Sequence, residues 1–414
     1  MKRGMITARR RSVVVKITTR LKQRRTAMNE NINRKVKDVF LLNERVFLIW
    51  DAWPLRKKYT KFVMYMSYLS VHMVIMYIDL IGAFGNLESM VENIIDNTIA
   101  TATYFILFLL RFNKLIEHGI VTVREEIAKS KFETVEEMRL YFTYHNISDK
   151  FGRYAISTTL VIATLWYLSP MLQLLKLDSG QSNESSKAYK LPFRAYAFLD
   201  YQDDFQNFII MYLYQFPLMF IALSHISAIS LLVNLVLHIC GKFSILSYRI
   251  QNITTNSNVN FDNVMKEFVT AHVKLITTAN SINSALQVFL LVELLQTTIR
   301  MATIIYMMLL NPSGSFVSTL TYGLYISIII SMLYLYSFIG EQLSNESMKV
   351  SEAFYATDWN NLSLHNQKLL LLVMSLGRQT LHVTAGKFYT FSLYGFIDVM
   401  KTSFGYVSLL RTLI

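Results

Sequence analysis

Seven runs of mostly apolar residues recur along the chain, at about 62–84, 94–112, 154–177, 206–239, 284–310, 316–339 and 388–411. A hydrocarbon core about 30 Å thick is crossed by roughly 20 helical residues rising 1.5 Å each, so each run is long enough to span a bilayer. The pattern predicts an all-α polytopic membrane protein with seven transmembrane helices. The fourth run exceeds what a bilayer needs and should tilt or project beyond it. Pro217 within it and Pro170 near the end of the third are kink candidates. Between the fourth and fifth runs, Phe261, Val264, Met265, Phe268, Val269 and His272 recur at helical spacing, which predicts helices continuing past the membrane. Leu369 to Leu372 ahead of Gly377 predict a short helix ending before the seventh run.

Composition agrees with the pattern: 53% of residues are hydrophobic and 17% charged, against about 25% charged in ordinary soluble domains. The net charge of +13 is unevenly placed, because residues 1–61 hold 18 Lys and Arg against four acids. A basic segment ahead of an apolar body suits anionic lipid rather than nucleic acid, for which no reading module accompanies the charge. Basic residues then concentrate in alternate loops, with Lys114, Arg124, Lys129 and Arg139 in the second, Lys242, Arg249, Lys266 and Lys274 in the fourth, and Lys349, Lys368 and Lys387 in the sixth, while the third has only Lys187, Lys190 and Arg194 beside Asp200, Asp203 and Asp204. By the positive-inside rule the N-terminus is cytoplasmic and the C-terminus extracellular. The expected organisation is a basic N-terminal segment (1–61), helices 1–4 (62–240), a cytoplasmic helical loop (241–283), helices 5–6 (284–339), a cytoplasmic anchor segment (340–387) and helix 7 (388–414). Residues 1–28 contain no acid and are read as an unstructured tail or as an extension ahead of a second start at Met28. Of five Asn-x-Ser/Thr sequons only Asn183 would face the glycosylating side.

Candidate chemistry is sparse. The chain lacks Gly-x-Ser-x-Gly, His-Glu-x-x-His and a phosphate-binding glycine loop, so an enzyme is not expected. Cys240 is the only cysteine and the eight histidines show no ligand spacing, so neither a metal nor another cofactor is expected. Ionisable residues inside spans cost about 2.5–3.5 kcal/mol at the helix centre and mark function by default. Glu293 and Arg300 sit on one face of the fifth span, either as an interhelical structural pair or lining a water-filled path, and Asp398 and Lys401 sit three apart on the seventh, where they can pair. Seven spans suggest a G-protein-coupled receptor, but the inside N-terminus, the single cysteine and the missing Asp-Arg-Tyr and Asn-Pro-x-x-Tyr motifs oppose it. A transporter would show inverted repeats, which seven unequal spans do not.

The C-terminal stretches GEQLSNESMKVSEAFYATDW (340–359) and LGRQTLHVTAGKFYTFSLYGFIDVMKTSFGYVSLLRTLI (376–414), with YQDDFQNFIIMYLYQF leading into the fourth span, resemble insect odorant receptors. A gustatory-receptor-type channel shares the topology but ends in a Thr-Tyr-x-x-x-x-x-Gln-Phe pattern absent here, and Phe404-Gly405-Tyr406 fits the odorant branch. The resemblance implies the odorant-binding subunit of a ligand-gated, non-selective cation channel in the plasma membrane of olfactory neurons. Its partners would be a small volatile apolar ligand, membrane lipids and the odorant receptor coreceptor in a heterotetramer. It also implies a pocket among spans 2, 3, 4 and 6, carried over to Thr101, Tyr104 and Phe105, to Thr159, Ile162 and Trp166, to Met211 and Gln215, and to Tyr322 and Tyr325. The pore gate falls at Tyr406, Leu410, Thr412 and Leu413 on the seventh span, where an apolar ring would gate by dewetting.

Overall fold

The computed structural model describes residues 39–129, 132–178, 189–194, 196, 200–202, 204–252, 261–310, 316–357, 359–361, 363–377 and 380–413. The basic tail, with the Met28 start, and the Asn183 sequon lie outside these residues. The elements run α1 (Leu41–Leu48), α2 (Thr60–Gly82), α3 (Leu87–Phe112), α4 (Lys114–Lys129), α5 (Val135–Asp178), α6 (Phe205–Tyr214), α7 (Met219–Gln251), α8 (Phe261–Leu310), α9 (Phe316–Tyr355), α10 (Leu364–Gly377), β1 (Val383–Ala385), β2 (Tyr389–Phe391) and α11 (Leu393–Leu413).

Six of the predicted spans appear as helices long and apolar enough to cross a membrane: α2, α3, α5, α6 with α7, α8 and α9. The seventh is α11, 21 residues long, with Asp398, Lys401 and Arg411 along it. The fourth run is broken, as Pro217 suggested. Proline has no N–H to donate, and the chain passes through a short 3-10 turn, Phe216–Leu218, between α6 and α7. Pro170, in contrast, sits inside a continuous α5.

α7 is the central helix. Every residue from Ile226 to Gly241 is buried, which requires neighbours on all sides, and α1, α3, α5, α8 and α9 supply them. Its polar side chains are bonded in turn: Asn234 donates to Asn43 Oδ1 (3.0 Å) and accepts from Ser148, while Asn43 donates to the Ser227 carbonyl (2.7 Å). The outer helices present apolar faces outward, among them Val63, Val71 and Val74 on α2, Leu160 and Val161 on α5, and Leu324 and Ile328 on α9. Aliphatic surface on that scale suits lipid, since intrahelical bonds already satisfy the backbone.

Helices α7 and α8 extend well past their apolar runs, as the helical spacing predicted, and α4, the first turns of α5 and the end of α7 meet there. Arg249 grips Glu137 with two bonds (3.0 and 2.9 Å), and Glu126 meets His238 (3.4 Å) and Lys274 (3.3 Å). Burial alone would raise the Glu126 carboxyl, but the hydrogen bond from His238 and the charges of Lys242 and Lys274 outweigh it and hold it down to about 2. At the foot of α3 the buried Arg111 guanidinium donates to the carbonyls of Trp53 (2.9 Å), Pro54 (3.0 Å), Arg56 and Lys58 (3.2 Å) and lies 4.1 Å over the Tyr59 ring. One side chain thus organises the whole segment leading into α2.

The β-hairpin before α11 was not predicted. Its tight turn carries two successive left-handed residues, Gly386 (φ 56°) and Lys387 (φ 68°), a geometry that matches strand twist. The hairpin ties α11 to the bundle. Thr384 N–H donates to Asn283 Oδ1 (3.0 Å) and Gly386 N–H to the Gln287 carbonyl (3.2 Å), both on α8, and Leu393 N–H donates to Glu341 Oε2 (3.2 Å) on α9. Gly340 on α9 lies so close to Phe391 that a Cβ there would strike its carbonyl.

Candidate functional site

Glu293 on α8 is buried within a membrane-spanning run, 2% exposed. Tyr336 on α9 donates its hydroxyl to Glu293 Oε2 (3.1 Å), and His225 Nε2 on α7 lies 3.3 Å from Oε1. His225 Nδ1 is 3.1 Å from the Thr103 hydroxyl on α3, which itself donates to the Ile99 carbonyl (2.8 Å) and so accepts from the imidazole. Gln296 brings its amide nitrogen within 3.4 Å of His225 Nε2 and also reaches Glu293. Arg300 completes the group, within electrostatic range of Glu293, Tyr336 and Tyr325. Side chains from α3, α7, α8 and α9 therefore share one buried polar cluster.

Glu293 finds its partners on α7 and α9. Asp398 and Lys401 do not pair. Both are exposed on α11 and no ion pair joins them among the described residues, because on an outward helix face each carries its own solvation or awaits a neighbour.

A cavity of about 340 Å³ adjoins the cluster, walled by α2 (Tyr77, Leu80), α3 (Ile94, Asn97, Thr98, Thr101, Ala102, Phe105) and α8 (Val292, Leu295, Gln296, Ile299). The Tyr77 and Thr101 hydroxyls bond across it at 2.8 Å. Of the ten expected pocket residues, Thr101 and Phe105 line this cavity, facing α2 and α8 rather than α5, α6 or α9. Tyr104 turns to α2, its hydroxyl 3.0 Å from that of Ser70. On α5, Thr159 is half-buried and Ile162 exposed, while Trp166 donates its indole N–H to the Pro192 carbonyl (2.9 Å). Met211 is buried on α6. Gln215 is fully buried and both ends of its amide are taken by the Phe193 backbone (3.1 and 2.8 Å), which pins the loop before α6. Tyr322 and Tyr325 pack on α9 against Val91, Ile95, Met301, Ile304 and Ile329. The expected gate residues Tyr406, Leu410, Thr412 and Leu413 are in the helical backbone of α11, but their side chains lie outside the described residues.

Sequence reasoning singled out Glu293 and Arg300 but missed Thr103, Gln296 and Tyr336. Only the spacing of Glu293 to Gln296, one helical turn, was visible in the chain. The rest come from four helices.

This bundle, a central buried helix among five further apolar helices and a hairpin-tethered terminal helix, is that of a multi-pass helical membrane protein. The profile of the 7tm odorant receptor family matches residues 131–404, and the chain belongs to that family of insect receptors. It is 26% identical over 159 residues to odorant receptor 10 of Aedes albopictus, covering 38% of this chain and 42% of that one. It is 25% identical over 188 residues to odorant receptor 22c of Drosophila melanogaster, covering 42% and 46%. The chain thus spans about half the length of the curated relatives it matches. In fold it is similar to the insect olfactory receptor OR5 from Machilis hrabei, at 12% identity, with a TM-score of 0.71, covering 93% of this chain and 100% of that one. The complex of that receptor with eugenol matches at a TM-score of 0.74.

Proposed function

We propose that this chain is the odorant-binding subunit of a ligand-gated, non-selective cation channel, assembled with the odorant receptor coreceptor in the plasma membrane of olfactory neurons. The observation that carries the reading is the family match over 131–404. The eugenol complex of the Machilis hrabei receptor makes a small, mostly apolar volatile the class of ligand to expect. The N-terminus and the extended ends of α7 and α8 are cytoplasmic in this reading, α11 lines the pore, and the ligand sits among α3, α5, α6 with α7, and α9.

The contacts support a route from ligand to pore. A ligand opens the channel only if it binds the open arrangement better than the closed one. Thr101, Tyr104 and Phe105 stand on α3, whose Thr103 joins the cluster shared with α8 and α9. Those two helices hold the hairpin and first turn of α11 through Asn283, Gln287 and Glu341. A displacement of α8 against α9 is therefore carried to the base of α11.

Voltage-clamp recording of cells expressing the chain with and without the coreceptor, against a volatile panel that includes eugenol, tests the proposal. An inward cation current evoked by at least one volatile, and only with both subunits present, is expected. A surface-expressed pair that stays silent to the whole panel would count against it.

A further inference from the structure

Four exposed cations stand where α2 begins. Lys57, Lys58 and Lys61 lie within one stretch of five residues, and Lys114 opens α4 two residues past Phe112. None of the four forms an ion pair among the described residues, and Glu117 on the first turn of α4 pairs with none of them, whereas Arg56 beside them is matched by Asp51 at 3.3 Å. Surface lysines alone mark no site, but these are mounted on a fixed frame. Arg111 donates to the carbonyls of Arg56 and Lys58 and lies over the Tyr59 ring, so the backbone that carries the lysines is held. The 23-residue α2 adds its own field, because Tyr59 supplies no side-chain cap and leaves the positive end of the helix to a partner from outside. Apolar side chains border the cations directly. Phe112 stacks on Tyr59 (6.4 Å, 12°) and meets the edge of Phe62 (5.8 Å), with Phe108 4.8 Å from it along α3. Phe108, Phe112, Val63 and Met64 are about half exposed or more, so a strip that suits acyl chains runs straight into a cluster that suits phosphate.

We propose that this corner of α2, α3 and α4 binds a polyphosphorylated inositol lipid, its phosphates among Lys57, Lys58, Lys61 and Lys114 and its acyl chains along Phe108 and Phe112. A soluble polyanion would use the cations and leave the aromatic strip idle, whereas a lipid uses both. A singly charged headgroup such as phosphatidylserine would leave most of the four cations unmatched, and several phosphates on one ring match them together. This goes beyond the general attraction of a basic segment to anionic lipid, because it assigns one lipid class to one ordered corner outside the expected odorant pocket. It rests on the proposed orientation, since anionic inositol lipids belong to the cytoplasmic leaflet.

The test is photolabelling of the full-length receptor in phosphatidylcholine nanodiscs holding a trace of phosphatidylinositol bisphosphate with a diazirine on its acyl chain. The competitors are the same lipid unlabelled, phosphatidylserine and soluble inositol trisphosphate. Label is expected in peptides holding residues 57–64 and 108–115, and the unlabelled lipid should compete about tenfold better, or more, than phosphatidylserine, since each further basic residue engaged is worth about fivefold. Lys57→Gln, Lys58→Gln and Lys61→Gln together should weaken labelling about 100-fold on the same scale. The same loss of charge at the exposed Lys150, Lys266 and Lys368 should leave it unchanged. Should the triple variant fail to fold, competition in the unchanged protein decides. Label confined to residues 1–38, equal competition by phosphatidylserine, or inositol trisphosphate competing as well as the lipid would each overturn the inference. Odour-evoked current from a receptor that takes no label at this corner would overturn it and leave the receptor reading standing. Label there in a receptor silent to every volatile would support it and count against that reading instead.

Discussion

Glu293→Gln isolates what the buried cluster contributes. The substitution keeps the side-chain volume and an acceptor for the Tyr336 hydroxyl (3.1 Å in the unchanged protein) but removes the charge facing His225 and Arg300. Arg300 Nε is already buried without a partner, so the change leaves a cation uncompensated in a low-dielectric interior. Removing one partner of a buried pair costs roughly 3–5 kcal/mol, whereas replacing both with apolar groups is close to neutral. With an unfolding entropy of about 2.1 cal/mol/K per residue, such a loss in a chain of this length lowers the midpoint by about 3–6 °C. The assay is thermal unfolding of detergent-purified receptor followed by fluorescence-detected size exclusion, with Glu293→Gln, Arg300→Leu and the double variant compared. The double variant should recover most of the loss. Additive losses in the double variant would refute the reasoning, because they would mean that the two side chains do not compensate one another.

Other consequences are equally specific. Gly340→Ala drives a methyl into the Phe391 carbonyl, so overpacking should cost about 1–3 kcal/mol and, by displacing the hairpin that holds α11, shift the ligand concentration for half-maximal current. Arg111→Met strips donors from four carbonyls and should lower stability by about 3 kcal/mol or more, read as loss of monodisperse receptor. Glu126, held down to about 2 against an ordinary 4.5, favours the folded state above pH 4.5 and loses that contribution as pH falls toward 2. Glu126→Gln should therefore be less stable than the parent at pH 7, with the difference shrinking on acidification, as measured by unfolding midpoints across pH. Endoglycosidase should sharpen the receptor band in a manner abolished by Asn183→Gln and untouched by Asn345→Gln, since only the former sequon faces outward in the proposed orientation.

The spans were legible in the chain because each is a long apolar run, and a bilayer demands that length whatever the tertiary contacts. The break at Pro217 was legible for a local reason, the missing N–H. The hairpin was not, because two three-residue strands leave almost no alternation to read, and Gly386 with Lys387 does not by itself distinguish a turn from a helix stop. The buried cluster was half legible: the cost of a carboxylate in a span marks Glu293, but its partners His225, Thr103 and Tyr336 are ordinary residues until the helices bring them together. The open wall of the cavity was the least legible, since Thr101 and Phe105 were expected to face α5 and α9, and the turn of α3 toward α2 and α8 is decided by packing around α7.

The central claim is that odorant binding itself opens a cation pore in a complex of this chain with its coreceptor. Purified complex reconstituted into planar bilayers, with no nucleotide or G protein present, tests it most directly. A volatile active in cells should evoke single-channel openings that carry Na⁺ and K⁺ alike and reverse near 0 mV in symmetric salt, and bilayers containing this chain alone should stay silent. Openings that require a nucleotide, or a volatile response carried by the coreceptor without this chain, would contradict the account.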